Sequence, residues 1–96
     1  MNEIHFEWNK LKALANKRKH GISFEEAKTI FYDDHAVQFD DPDHSEDENR
    51  FIMIGLSYKL RVLVVSHCER DKDVIRIISA RKAARHEAQY YQEGRI

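Results

Sequence analysis

Apolar residues near the start of the chain first alternate with polar ones and then recur at helical spacing. Residues 4–8 alternate, with their apolar side chains on one face, and predict a short strand. Asn9 follows as a suitable N-cap for a helix over residues 10–19. The predicted buried stripe of this helix consists of Leu11, Leu14 and Ala15.

A second helix is predicted shortly after Gly21, which stands where a left-handed residue commonly ends a helix. Ser23 and Glu26 form a capping-box pattern at its start, and the helical spacing continues to about Tyr32. Its core-facing residues are predicted to be Phe24, Ala27, Ile30 and Phe31.

Strand patterns dominate the middle of the chain, and short turns separate them. Strands are predicted over residues 37–41, 51–58, 61–68 and 74–78. Consecutive strands with short links form an antiparallel meander, so the sheet is expected to be antiparallel and packed against helices.

A last helix is predicted where the spacing changes at Ser79, and it extends from about Ala80 to Gln92. Its inward residues would be Ala80, Ala84, Ala88 and Tyr91. The resulting element order is β-α-α-β-β-β-β-α. It predicts an α+β fold in one domain over residues 1–96.

Charge is unevenly distributed along the chain, although the formal net charge is only −1. Residues 40–50 are rich in acids, whereas residues 17–20 and 76–85 are rich in bases. A near-neutral total argues against bulk electrostatic binding of nucleic acid, but it leaves room for a local basic groove. The acidic segment is expected to lie away from RNA or to dock a basic partner.

Cys68 is the only cysteine, so no disulfide can form within the chain, which fits a reducing compartment. The sequence has no apolar run of the length that a signal peptide or a membrane span requires. These features predict a cytoplasmic location and no membrane partner.

Cations at the start of the predicted last helix suggest a phosphate site. Arg81, Lys82 and Arg85 would stand in its first turns, where the positive end of the helix dipole makes each cation unfavourable by roughly 0.3–1 kcal/mol. Free N–H groups and cations together bind anions. The alternative is that these long side chains simply extend into water.

Other candidate groups give weaker signals. A hairpin closed by Arg70 and Asp73 with two turn residues would place His67 opposite Arg76 and Glu69 opposite Val74. It would bring an imidazole, a carboxylate and a guanidinium to one face, although a shift of one residue would undo this. The alternative is an exposed, charged strand face. The histidines and the acidic segment lack the spacing of a metal site, so no metal or cofactor is expected.

Several short motifs, in order along almost the whole chain, resemble one protein family. The first group is Phe6, Glu7, Trp8, Asn16, the run Lys19–Ala27 and Phe31. The second is Asp41–Ser45, Arg50, Ile54 and Gly55. The third is Ile75–Ala83, Arg85, Glu87 and Tyr91, with Tyr90 an equal candidate for the terminal tyrosine. Together they resemble the BrnT toxin family.

This resemblance implies a RelE-like fold and a toxin of a bacterial type II toxin-antitoxin system. The toxin would be a metal-independent endoribonuclease that stops translation. A BrnA-like antitoxin would neutralise it and would alone contact operator DNA. The implied catalytic candidates are Lys19, His20, Arg76 and Arg81.

Three further residues are predicted to contact RNA, namely His67, Lys82 and Arg85. Cleavage without a metal ion needs cations directed at the phosphate and a group that accepts the 2′-hydroxyl proton. The sequence supplies the cations but no convincing base. The alternative function is a non-catalytic regulatory module that acts through a DNA-binding partner.

Overall fold

The computed structural model describes residues 3–41, 43 and 49–94. The strands are β1 (His5–Glu7), β2 (Val37–Asp40), β3 (Arg50–Leu56), β4 (Val62–Glu69) and β5 (Val74–Lys82). The helices are α1 (Lys10–His20), α2 (Phe24–Thr29) and α3 (Arg85–Gly94), with a short 3₁₀ turn over Ile30–Tyr32. The predicted α+β class and element order are confirmed.

The strands form one five-stranded sheet in the order β1-β5-β4-β3-β2. Strands β2 to β5 make the predicted antiparallel meander. Strand β1 adds to the edge of the meander and runs parallel to β5, pairing Glu7 with Arg76. The sheet is therefore mixed, and the chain start lies beside its last strand.

Helices cover the sheet on both faces. On the back face, Leu63, Val65 and Ile77 pack with α2 residues such as Phe24. On the front face, Val64 and Ile54 pack with Tyr91 of α3. Alternation along β4 therefore supplies both cores. Within the described residues, none of the helices has the length and apolar character needed to span a bilayer.

The caps of the first helices follow the sequence. The Asn9 side chain accepts the Lys12 N–H, Gly21 ends α1 at φ 74°, and the Ser23 hydroxyl accepts the Glu26 N–H. The Glu26 carboxylate, however, is buried and binds Arg61 and the Ser57 hydroxyl. Burial alone would raise the pKa of Glu26, but these hydrogen bonds outweigh it and lower the pKa.

The predicted buried stripe of α1 is wrong. Leu11 and Leu14 are 77% and 62% exposed, and Ala15 is exposed too. Ala13 packs against the back-face core instead, and Asn16 is buried. The reason is a specific polar contact, which sets the rotation of the helix in place of the leucines.

Asn16 completes the hydrogen bonding of the β5 edge. Its Nδ2 donates to the carbonyl oxygens of Ala80, at 2.9 Å, and Ile22, at 3.0 Å, while its Oδ1 accepts the Ala80 N–H at 3.1 Å. A side-chain amide offers the same donor and acceptor as a peptide group. Asn16 thus replaces a neighbouring strand at Ala80 and fixes α1 beside β5.

The predicted start of the last helix is also wrong. Arg81 and Lys82 continue β5 and pair with Val64 and Leu63 of β4, and the ladder extends as the Ala83 N–H donates to the Val62 carbonyl. These strand hydrogen bonds outweigh the local helical pattern. The helix begins only at Arg85, so Arg81 and Lys82 do not stand at a helix N-terminus.

Replacing Asn16 by alanine should lower the free energy of unfolding by about 2–4 kcal/mol, because it leaves buried peptide groups without partners. The matched control is Asn9→Ala, which removes only an exposed N-cap and should cost about 1 kcal/mol. Urea unfolding of both variants checks this. Equal losses in the two variants would contradict the role assigned to Asn16.

Candidate functional site

Part of the front face is not covered by α3, and we call this part the open face. It consists of Glu7 on β1, Arg76, Ser79 and Arg81 on β5, and Ser66 on β4. The strand register places these residues on one face, since Glu7 pairs with Arg76 and Ser66 pairs with Ser79. Glu87 in the first turn of α3 borders it.

A β-bulge brings the two arginines together. Residues five positions apart in a regular strand, such as Arg76 and Arg81, point to opposite faces. In β5 the register shifts between Ile77 and Ser79, so that Arg76 pairs with Cys68 and Arg81 with Val64. Cys68 and Val64 lie on the same face of β4, with their Cα atoms roughly 13 Å apart at the usual strand rise. Their partners Arg76 and Arg81 therefore lie on one face too, on either side of the pair formed by Ser66 and Ser79.

Arg76 is held by a carboxylate from the neighbouring strand. Its Nη1 lies 2.9 Å from Oε2 of Glu7, and the two side chains are 33% and 41% exposed. The contact occupies one guanidinium nitrogen and leaves other donors available for an anion. Because Glu7 is also exposed, the site includes a carboxylate that a substrate can reach.

Arg81 is held more firmly, by a bidentate contact with Glu87. Its Nη1 and Nη2 lie 2.7 and 2.8 Å from the two carboxylate oxygens. The hydrogen bonds from Arg81 lower the pKa of Glu87 to about 2, and the same contact raises the pKa of Arg81. Glu87 also accepts the Ala84 N–H at 2.7 Å, so one carboxylate fixes both the arginine and the helix start.

The predicted RNA-binding residues are divided by the sheet. Lys82 pairs with Leu63, a back-face residue, and Arg85 is exposed at the start of α3. Arg85 is the first residue of α3, two positions before Glu87, which borders the open face. Lys82 lies at the same end of β5 but on the side of α1.

Lys19 and His20 lie in the last turn of α1, not on the open face. His20 is half-buried, one helical turn after Asn16, whose amide binds Ala80 next to Arg81. The end of α1 therefore lies close to the β5 edge. Lys19 and His20 therefore lie near the part of β5 that contains Arg81. They are not part of the open face that carries Arg76 and Arg81.

The predicted grouping of His67 with Arg76 is wrong. The observed register pairs His67 with Ile77 and Arg76 with Cys68, because the bulge and the turn shift the strand by one residue. His67 is fully buried on the back face between the rings of Phe31 and Phe51. A side chain without exposed surface cannot contact RNA, so the RNA-binding assignment of His67 is withdrawn.

Burial of His67 predicts an acid-sensitive fold. Burial lowers the pKa of His67 to about 4, below the ordinary 6.5, and outweighs a backbone hydrogen bond at Val65 that raises it. As the pH falls, the histidine of the unfolded chain takes up a proton before the buried histidine of the folded protein does. The contribution of His67 to the free energy of unfolding is therefore fully present above about pH 6.5, and it falls by about 3 kcal/mol in total as the pH approaches 4. Urea midpoints at pH 7 and pH 5 measure this. A His67→Gln variant should lose this part of the pH dependence; an unchanged slope would contradict it.

Metal ligands do not cluster in the part of the chain that the structure describes: no group of three or more His, Cys, Asp or Glu side chains could hold an ion there. The acidic segment predicted as a docking charge falls mostly at residues 42 and 44–48, outside the described residues.

Two residues of the open face, Glu7 and Ser79, are not predicted by the sequence patterns. Glu7 sits beside Arg76 only because β1 pairs in parallel with β5, and Ser79 faces the solvent side only because of the bulge. The two candidate terminal tyrosines differ in their surroundings. The Tyr91 hydroxyl donates to Asp33 at 2.6 Å and the residue is 2% exposed, whereas Tyr90 is 50% exposed.

The sequence model of one family, described as the ribonuclease toxin BrnT of type II toxin-antitoxin systems, matches residues 8–87. The chain belongs to the BrnT family. The predicted resemblance is confirmed. The matched span includes α1, the whole meander and Arg76, Arg81 and Glu87, whereas Glu7 lies one residue before it.

Comparison with solved structures shows that the fold is similar to that of a BrnT toxin. The 1.1 Å crystal structure of the Brucella abortus ribonuclease toxin BrnT superposes with a TM-score of 0.68 at 21% sequence identity, covering 85% of this chain and 99% of that chain. Comparison with curated protein sequences finds no significant match.

BrnT membership establishes the general class of activity. The family comprises ribonuclease toxins, and a type II system pairs a toxin with a protein antitoxin. An RNA substrate and an antitoxin partner follow from this membership. On the open face, guanidinium and carboxylate groups from β1, β5 and α3 meet.

Proposed function

We propose that this chain is a metal-independent endoribonuclease that cleaves RNA on the open face and thereby inhibits translation. The observation that carries the proposal is the placement of Arg76 and Arg81 on one exposed face, each oriented by a carboxylate. Oriented cations directed at a developing charge supply the largest share of catalysis in such reactions.

The proposed reaction is internal transesterification of the RNA backbone. The ribose 2′-oxygen attacks the adjacent phosphorus and loses its proton, while the bond from phosphorus to the 5′-oxygen breaks. The products are a 2′,3′-cyclic phosphate and a 5′-hydroxyl end. Arg76 and Arg81 would bind the phosphate oxygens, whose charge increases in the transition state.

Glu7 is the proposed acceptor of the 2′-hydroxyl proton. It is the exposed carboxylate beside Arg76, whereas Glu87 is already committed to Arg81 and the Ala84 N–H. Proton transfer by a positioned carboxylate commonly contributes about 10²–10⁴-fold in rate. The ion pair between Glu7 and Arg76 would hold the carboxylate and the guanidinium in fixed positions beside the phosphate.

Lys19 and His20 are proposed to position RNA or to protonate the leaving 5′-oxygen, from the α1 side of the β5 edge. Lys82 and Arg85 would continue the path of the RNA strand beyond Arg81, contacting phosphates. A His20→Gln variant with normal cleavage across neutral pH would remove His20 from the mechanism.

Neutralisation is proposed to come from a BrnA-like antitoxin, which would also carry the DNA-binding function of the complex. Covering Arg76 and Arg81 would suffice to block the reaction. A protein antitoxin follows from family membership. Its BrnA-like identity would be supported by a neighbouring gene that encodes a small basic DNA-binding protein.

Incubation of the purified chain with RNA in excess chelator tests the proposal. We expect cleavage to continue and the products to carry 5′-hydroxyl ends. Loss of cleavage that magnesium restores would contradict the metal-free reaction. No cleavage under any condition, with or without ribosomes, together with no growth defect on expression, would favour a non-catalytic regulatory module.

A further inference from the structure

Helix α1 exposes apolar side chains that the fold does not use. Leu11 and Leu14 stand three residues apart, on one side of the helix, and are 77% and 62% exposed. Asn16 directs the opposite side of α1 towards β5, so these leucines cannot turn inwards. Exposed leucines at helical spacing are the anchor pattern of a helix that binds a partner.

A pocket lies beside these leucines. It has a volume of about 260 Å³, and it is formed by the start of α1 together with the start of α2. Trp8, Ala13, Leu14 and Phe24 form its apolar lining. This is below the usual size of small-molecule pockets, roughly 300–1,000 Å³, and suits one or two inserted side chains.

Basic side chains outnumber acidic ones at the rim of the pocket and along the exposed helix. Lys10 and Lys17 line the pocket together with one carboxylate, Glu25 of α2, and α1 itself contains no acidic residue. Lys10 and Lys12 stand in the first turn, where the helix dipole disfavours cations. Cations in that position beside exposed leucines are consistent with a surface that meets an acidic partner.

We propose that this surface, the α1 groove, binds an acidic amphipathic segment of the antitoxin. Apolar side chains of the segment enter the pocket against Leu14 and Phe24, and its carboxylates meet the lysines of α1. The inference rests on the proposed neutralisation by an antitoxin and adds where the antitoxin docks. The apolar lining distinguishes this occupant from RNA, whose backbone would use the lysines but not the pocket.

The probe is a purified BrnA-like antitoxin that binds this chain, titrated against the purified toxin. Leu11→Glu/Leu14→Glu keeps good helix formers and adds charges that repel an acidic segment. We expect binding to weaken at least about 30-fold, the loss typical of a buried anchor. The matched control is Leu60→Asp, which changes another leucine that is 79% exposed, at a turn; its affinity should equal that of the wild type.

Charge is tested by Lys10→Glu/Lys17→Glu, which should slow association and reduce its salt dependence. RNA cleavage by every variant is measured in parallel, and it should remain at the wild-type rate. That separates this inference from the proposed function, whose failure would appear as absent cleavage in the wild type.

Unchanged antitoxin affinity in Leu11→Glu/Leu14→Glu would overturn the proposal. Loss of cleavage by the lysine variants with intact antitoxin binding would also overturn it, and would assign α1 to RNA. Circular dichroism confirms that each variant is folded before its affinity is compared.

Discussion

Alanine at Arg81 or at Arg76 should slow RNA cleavage about 10²–10³-fold, the usual loss when one electrostatic stabiliser of a transition state is removed. Expression of either variant should no longer arrest growth. The fold should persist, because both ion pairs lie at the surface, with the Arg76 and Arg81 side chains 33% and 44% exposed, and surface pairs contribute about 0–1 kcal/mol. Single-turnover cleavage at matched protein concentrations measures the effect.

The controls separate position from charge. Arg70→Ala removes an exposed arginine from the β4–β5 turn and should leave the rate unchanged. Arg81→Lys keeps the charge but loses the planar fork that binds Glu87 in two places, so it should recover only part of the rate. Full cleavage by both alanine variants would remove the open face from the reaction.

Replacement of Glu7 by glutamine should reduce the cleavage rate about 10²–10⁴-fold, because an amide cannot accept the 2′-hydroxyl proton. Glutamine can still accept the Arg76 hydrogen bond, so RNA affinity should change little. The expected signature is a lower maximal rate at nearly constant substrate affinity.

Glu69→Gln is the matched control for Glu7, since Glu69 is exposed on β4 but pairs with Ile75 rather than with an open-face residue. It should leave the cleavage rate unchanged. If Glu7→Gln cleaves as fast as Glu69→Gln, Glu7 serves only to orient Arg76, and another group must take the proton.

Local patterns predicted most elements of the fold because their determinants lie close together in the sequence. Asn9, Gly21 and Ser23 mark the ends of helices through contacts within a few residues, and all three act as expected. The alternating strands of the meander likewise need only their own side chains and short turns.

The predictions are wrong where contacts between residues far apart in the sequence determine the local structure. The helical spacing after Ser79 was overridden by pairing with β4, and the rotation of α1 follows from the contact between Asn16 and Ala80, far along the chain. Such non-local hydrogen bonds leave no periodic signal in a single sequence.

The candidate site was found for a reason that the structure does not support. The sequence pattern predicts Arg81 as a cation at a helix N-terminus, but Arg81 lies near the end of β5 and is held by Glu87. The bulge in β5 and the parallel pairing of β1 create the site. Neither could be predicted from the residues, because both depend on register.

Mapping a non-cleavable RNA on the protein by NMR tests the central claim most directly. The probe is a short RNA with 2′-deoxy substitutions, which cannot undergo the proposed attack, titrated into the isotope-labelled chain. We predict that the largest shifts occur at Ser66, Arg76, Ser79 and Arg81, with smaller ones in the first turn of α3. Shifts confined to other surfaces, with the open face unchanged, would contradict the account.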